Sequence, residues 1–295
     1  MRNLAIIVSL LLLGLSTKAQ ANSIAPFKDA LFAYPKILSQ SKDGSYVTVE
    51  YNRQRDMVDR DRVLRRKAHF RYVDRGKVRW KRGVRSFRSP NGKFKHFVVG
   101  SPGRNTSFAV VYVHGKGGNR RQGVNDWTFG GNFNRLQNLA VRNDGALFTP
   151  DFTDFKDRGA TDIAALISKI RQQSPSTPII VACGSMGGGV CWRLANQPET
   201  AAQISGLFLL GSHWNDNFLK SDVVSKSTRN IPIYIGHGSD DVVFDPSVQR
   251  NFFEKIRSRN KNYPIRFVMF DTGVHGTPIR MVDWRRELNW MLSLR

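Results

Sequence analysis

Six short apolar runs restrict what this chain can fold into: FAVVYV at 108–113, ALFTPDF at 146–152, PIIVA at 178–182, ISGLFLL at 204–210, IPIYI at 231–235 and IRFVMF at 265–270. Most are rich in β-branched or aromatic residues and nearly free of polar interruption, the pattern of strands covered on both faces. Helical patterns separate them, at 133–141, 160–173, 188–197 and 246–258, and another closes the chain at 281–294. Strand and helix in alternation imply crossover connections and parallel pairing. The expected class is therefore α/β, with a mostly parallel central sheet and helices on both faces.

Upstream of residue 105 the pattern changes. Stretches 68–73, 77–81, 84–88 and 93–99 read as antiparallel strands, with turns at Arg75 and Gly76 and at Pro90, Asn91 and Gly92. On the last of them Lys93, Lys95 and Phe97 share one face and Phe94, His96 and Val98 the other. The division expected is a signal peptide at 1–21, an N-terminal extension at 22–66 and one domain at 67–295. Within that domain, basic antiparallel strands occupy 67–100 and the catalytic core 107–295.

The signal peptide is read from basic Arg2, an apolar stretch at 4–15 and small residues ending at Ala21. That stretch is well short of the about 20 apolar residues a spanning helix requires. Export to the periplasm or the medium, with cleavage near Ala21, is the expectation. The two cysteines, Cys183 and Cys191, are too few for a disulfide scaffold; buried free thiols are the expected reading, with a bond between them as the alternative that only geometry decides.

Charge is lopsided, with 46 Lys and Arg against 23 Asp and Glu, and residues 51–100 hold 17 of the former and four of the latter. Such a field attracts anions. An anionic membrane surface is the expected partner of this stretch, a solvated outer face is the plainer alternative, and no specific nucleic acid is expected.

Four short elements at the ends of predicted strands carry chemistry. Ser185 lies in C-G-S-M-G (183–187), between a predicted strand and a predicted helix, as a nucleophile on a sharp turn must. The G-x-S-x-G pattern expects glycine where Cys183 stands. H-G-K-G-G (114–118) follows the first core strand and can offer a backbone N–H to a developing oxyanion, with Lys116 and Met186 as the donors. It is not a phosphate loop, because glycine follows Lys116 where Ser or Thr is required. H-G-S-D-D (237–241) supplies Asp241, with Asp240 as the alternative acid, and G-V-H-G (273–276) supplies His275. A serine hydroxyl needs a histidine to take its proton and a carboxylate to orient that histidine. The order Ser185, Asp241, His275 matches one of the three common triad orders. The six histidines lack metal-ligand spacing, and neither metal nor cofactor is expected.

On these four motifs the chain resembles the α/β-hydrolase fold over about residues 70–295, and among its members the bacterial lipases and carboxylesterases. The resemblance implies Ser185 as nucleophile, His275 as base, Asp241 as acid and the amides of Lys116 and Met186 as oxyanion hole. It also implies an ester or lipid substrate cleaved through an acyl-enzyme; the positive charge of residues 51–100 together with an apolar pocket makes a phospholipid or other lipid ester the expected class. Residues 211–230 leave no room for a large cap domain. His114, Gly115, Phe129, Phe133, Phe152, Phe155, His213 and Trp214 are expected to line an apolar pocket. The same triad serves thioesterases and peptidases, and a non-catalytic binder of an anionic polymer or membrane surface is the rival of another class.

Overall fold

The computed structural model describes residues 23–62, 66–221, 224 and 230–295. The signal peptide expected at 1–21 lies outside these described residues. Among them, no helix is long and apolar enough to cross a membrane.

Ten strands form one sheet: β1 (Ile37–Gln40), β2 (Tyr46–Glu50), β3 (Arg82–Ser89), β4 (Gly92–Gly100), β5 (Ala109–Val113), β6 (Ala146–Pro150), β7 (Ile179–Gly184), β8 (Gly206–Leu210), β9 (Ile233–Gly238) and β10 (Ile265–Asp271). Their order is β1-β2-β10-β9-β8-β7-β5-β6-β4-β3. From β2 to β6 all neighbours are parallel. The β1/β2, β6/β4 and β4/β3 pairs are antiparallel. The six apolar runs are thus the six strands β5 to β10, and the mostly parallel sheet is as expected.

Alternation along each strand decides which helices cover it. Val111, Val113, Val181, Cys183, Leu207 and Leu209 pack on one side with α2 (Asp157–Gln173), α3 (Gly188–Asn196) and α4 (Pro246–Arg259). Val110, Tyr112, Ile180, Ala182, Phe208 and Leu210 pack on the other with α1 (Asn132–Arg142) and α5 (Trp284–Ser293). All twelve side chains are essentially inaccessible. The connection 211–230 contributes one 3-10 turn, Phe218–Lys220, among its described residues.

Two upstream expectations need correction. Residues 68–73 and 77–81 are not strands of the sheet: they hold a two-residue ladder end (Lys67–Ala68), a 3-10 turn (Phe70–Tyr72) and a short helix (Gly76–Trp80). The Asp74 carboxylate accepts the Gly76 amide at 2.8 Å in an Asx turn just ahead of the helix, and Val78 alone of its five residues is buried. Residues 22–66, expected as an extension, supply β1 and β2, so the sheet runs beyond the region assigned to the domain. The alternating YVTVE of β2 buries Val47 and Val49 and pairs with β10. Buried Arg135 of α1 fastens this N-terminal segment, donating to Asp29 at 3.0 Å and to Asp283, the cap of α5, at 2.9 Å.

The predicted turn at Pro90 and Asn91 does join β3 to β4, with Ser89 paired to Gly92. On β4, His96 is buried over Phe148, and its Nδ1 has no protein partner. Burial, aided by the charges of Lys169 and Arg85, lowers its pKa to about 4. The unfolded chain takes up that proton near pH 6.5. His96 therefore contributes stability that is complete above pH 6.5 and lost as the pH falls from there toward 4. Thermal unfolding across this window is expected to show a falling midpoint, and a shallower fall in a His96→Phe variant.

Candidate active site

Strand β7 ends at Gly184, and the next residue turns sharply. Ser185 has φ of +51°, a left-handed conformation that costs a residue with a side chain about 1–2 kcal/mol. It opens a 3-10 turn, Ser185–Gly187, that runs directly into α3. The backbone packs too closely here for side chains. A methyl group on Gly187 would sit 2.7 Å from the Val113 carbonyl oxygen and 2.8 Å from that of His114. One on Gly115 would sit 2.9 Å from Ser185 Cβ, and one on Gly188 1.7 Å from Ser212 Oγ. Ser212 Oγ in turn donates to the Ser185 carbonyl at 2.7 Å.

Cys183 is not a free thiol, contrary to expectation. It is disulfide-bonded to Cys191, with Cα atoms 6.3 Å apart, and both residues are fully buried. The eight-residue separation looked unremarkable in sequence, but the strand–turn–helix path folds α3 back over β7 and brings the two onto the same face of the sheet. A ring this small restricts the unfolded chain by about 2–3 kcal/mol in the chain-entropy model. Ser185 lies inside that ring.

Three side chains from separate loops converge. Ser185 Oγ is 2.8 Å from His275 Nε2, and His275 Nδ1 lies 2.9 Å and 3.1 Å from Asp241 Oδ2 and Oδ1. The loops after β9 and β10 carry Asp241 and His275 and touch at Gly238, where a methyl would meet the Gly273 carbonyl oxygen at 2.1 Å. Asp241 is buried. Burial pushes its carboxyl pKa up, but the hydrogen bond from His275 and the amides of Val243 (2.8 Å) and Phe244 (3.1 Å) outweigh it, and the net shift is downward. Neighbouring Asp240 is exposed and accepts from Ser239 Oγ at 3.0 Å. Of the two acids it is Asp241 that meets the histidine.

The expected pocket residues divide. The buried His114 ring stacks on Phe152, with centroids 4.5 Å apart, and stands edge-on to Phe155 at 5.9 Å. Its Nδ1 is 2.9 Å from the Gly115 carbonyl oxygen, and burial lowers its pKa. Phe129 packs 3.6 Å from where a methyl on Gly276 would stand, beside His275. His213 lies 5.6 Å from the ring of Phe244, which is itself 5.5 Å from His275. Phe133 is instead core, and Trp214 packs against the core on the α3 side. Lys116 is exposed beside Gly115, and Met186 heads the turn after Ser185, where first-turn amides have no helical acceptor.

Two neighbours were missed in sequence. Buried His237 places Nε2 2.8 Å from the Phe244 carbonyl oxygen and 3.4 Å from Asp241 Oδ2, and burial lowers its pKa. Phe244 provides an amide to Asp241 and a ring to His275. The short spacing of His237, at the end of β9, from Asp241 and Phe244 on the loop after it was the available signal. Several apolar residues adjacent in sequence to the triad are exposed: Met186 (36%), Val242 (96%), Val243 (56%) and Val274 (52%) each fall within two residues of Ser185, Asp241 or His275. Among the described residues, no group of three or more His, Cys, Asp or Glu could hold a metal ion.

Gly187→Ala is expected to destabilise the fold by about 1–3 kcal/mol, the usual cost of overpacking, read as a lower urea midpoint at unchanged slope.

No family model matches the sequence, and no curated protein matches it. Solved structures do. A protein of unknown function from Agrobacterium tumefaciens, described as a candidate α/β hydrolase, superposes with a TM-score of 0.54 at 15% identity, covering 70% of this chain and 93% of that one. The esterase Pf2001 of Pyrococcus furiosus gives 0.53 at 15% identity, over 72% and 92%. A thermostable esterase gives 0.53 at 17% identity, over 73% and 63%.

Proposed function

The chain has the α/β-hydrolase fold, and within it we propose that Ser185, His275 and Asp241 are the catalytic triad of an exported serine hydrolase acting on carboxylic esters. The observation that carries this reading is the unbroken relay from Ser185 Oγ through His275 to buried Asp241, at 2.8 and 2.9 Å. His275 Nε2 takes the hydroxyl proton as Ser185 attacks the ester carbonyl. Asp241 holds the Nδ1–H tautomer and stabilises the imidazolium that forms. The carbonyl oxygen, now negative, faces the amides of Lys116 and Met186. Collapse expels the alcohol, which leaves with the proton from His275, and the acyl group remains on Ser185. Water then repeats the sequence and releases the acid.

The substrate class we favour is an amphiphile with an anionic headgroup, such as a phospholipid. Support comes from the exposed apolar residues Met186, Val242, Val243 and Val274 beside the triad and from the excess positive charge of residues 51–100. Export rests on the basic, apolar and small-residue pattern of residues 1–21.

A fluorophosphonate probe is expected to label the wild type and to leave Ser185→Ala and His275→Ala unlabelled. Asp241→Asn is expected to lower kcat by about 10³–10⁴, while Asp240→Asn stays close to wild type. Folded wild type that takes no label would sink the reading and favour a non-catalytic binder. Cleavage of soluble short-chain esters, with anionic vesicles neither bound nor cleaved at low salt, would sink the substrate class alone.

A further inference from the structure

The Cys183–Cys191 bond occupies a site that the nucleophile-turn pattern leaves to a glycine. Ser185 must hold a left-handed backbone, and such strain persists only where the surroundings over-determine it. From one side the turn is held by close backbone packing, with Gly187 against the Val113 and His114 carbonyls and Gly115 against the serine itself. From the other it is held by the bond between the penultimate residue of β7 and the first turn of α3, in the core shared with α2. Between these two attachments lie Gly184 to Val190, including Ser185 and Met186. Both cysteines are fully buried, so nothing else in the chain competes for their sulfurs, and among the described residues no free cysteine remains.

We propose that the Cys183–Cys191 disulfide is a positioning element of the nucleophile turn, and that oxidation of the two thiols therefore completes the active enzyme. The proposal rests on Ser185 being the nucleophile. Formation of the bond removes two protons and two electrons from the thiols. A disulfide oxidant accepts them: one cysteine thiolate attacks it, expelling a first thiol, and the second attacks the resulting mixed disulfide, expelling another. A chain kept in a reducing compartment holds the same triad residues with the ring open, and becomes fully active where disulfides persist.

The test uses the whole chain, unfolded and reduced, then refolded with dithiothreitol or with oxidised glutathione, with thiols counted at each point. Expected is a kcat about tenfold lower for the form with two free thiols, KM within about twofold, and recovery as the thiol count falls to zero. Cys183→Ala, Cys191→Ala and the double variant should each show that same loss, because either change breaks the one bond. All rates are taken well below the melting temperature of the weakest variant, with circular dichroism matching wild type. If the reduced chain does not refold, Cys183→Ala/Cys191→Val, which refills the space of the sulfurs, carries the comparison. Equal kcat in the reduced and oxidised forms overturns the proposal. So do single-variant losses that add in the double, because they would reflect packing of two independent side chains. An oxidised, folded wild type that takes no fluorophosphonate label overturns the serine-nucleophile reading itself, a failure distinct from either of these.

Discussion

Everything near the site depends on how closely three pieces of backbone approach at Ser185. The end of β7, the start of α3 and the loop after β5 meet with so little space that Gly115 and Gly187 cannot carry a side chain without displacing a neighbour. Close packing is what makes a left-handed serine tolerable, since relaxation toward a commoner conformation would drive backbone into backbone. The hydroxyl is thereby presented beyond the sheet's edge, at the carboxyl ends of the parallel strands, where loops from other strands can reach it.

The second requirement is electrostatic. A carboxylate as deeply buried as Asp241 would prefer to be neutral, yet two loop amides and the imidazole of His275 all donate to it. Hydrogen bonds to the charged form outweigh desolvation, so the acid remains an anion where it can orient a histidine. His237 and Phe244 show that much of this environment comes from one stretch, residues 237–244, where β9 ends and its loop begins, with His275 added from the loop after β10.

Much of this was legible from residue pattern. Near-continuous apolar runs report strands buried on both faces, and all six proved to be neighbours in the sheet. Glycines flanking a serine, and motifs at strand ends in a fixed order, pointed to the residues that now lie within hydrogen-bonding distance. What was not legible depends on three-dimensional return. Whether Cys183 and Cys191 meet is decided by the direction in which α3 leaves the turn. The short strands β1 and β2 carry only alternating or exposed residues, and their place is set by the open edge of β10, some 220 residues later in sequence. Lys77 to Trp80 has the β-branched and aromatic content of a strand, but the Asx turn at Asp74 and a single buried side chain favour a helix.

The pairing of β2 with β10 also bears on how the chain reaches its fold. The sheet is closed at this end by residues from near the start and near the finish of the sequence, Tyr46–Glu50 against Phe267 to Asp271. The loop between them is among the longest the chain can close, and its entropic cost falls due before the contact rewards it. A polypeptide emerging amino end first can pair β2 with β1 early, but the other side of β2 waits for β10, the last of these strands in sequence. Completion of the sheet waits for its last strand in sequence, and a copy lacking β10 would leave the edge of β9 bare.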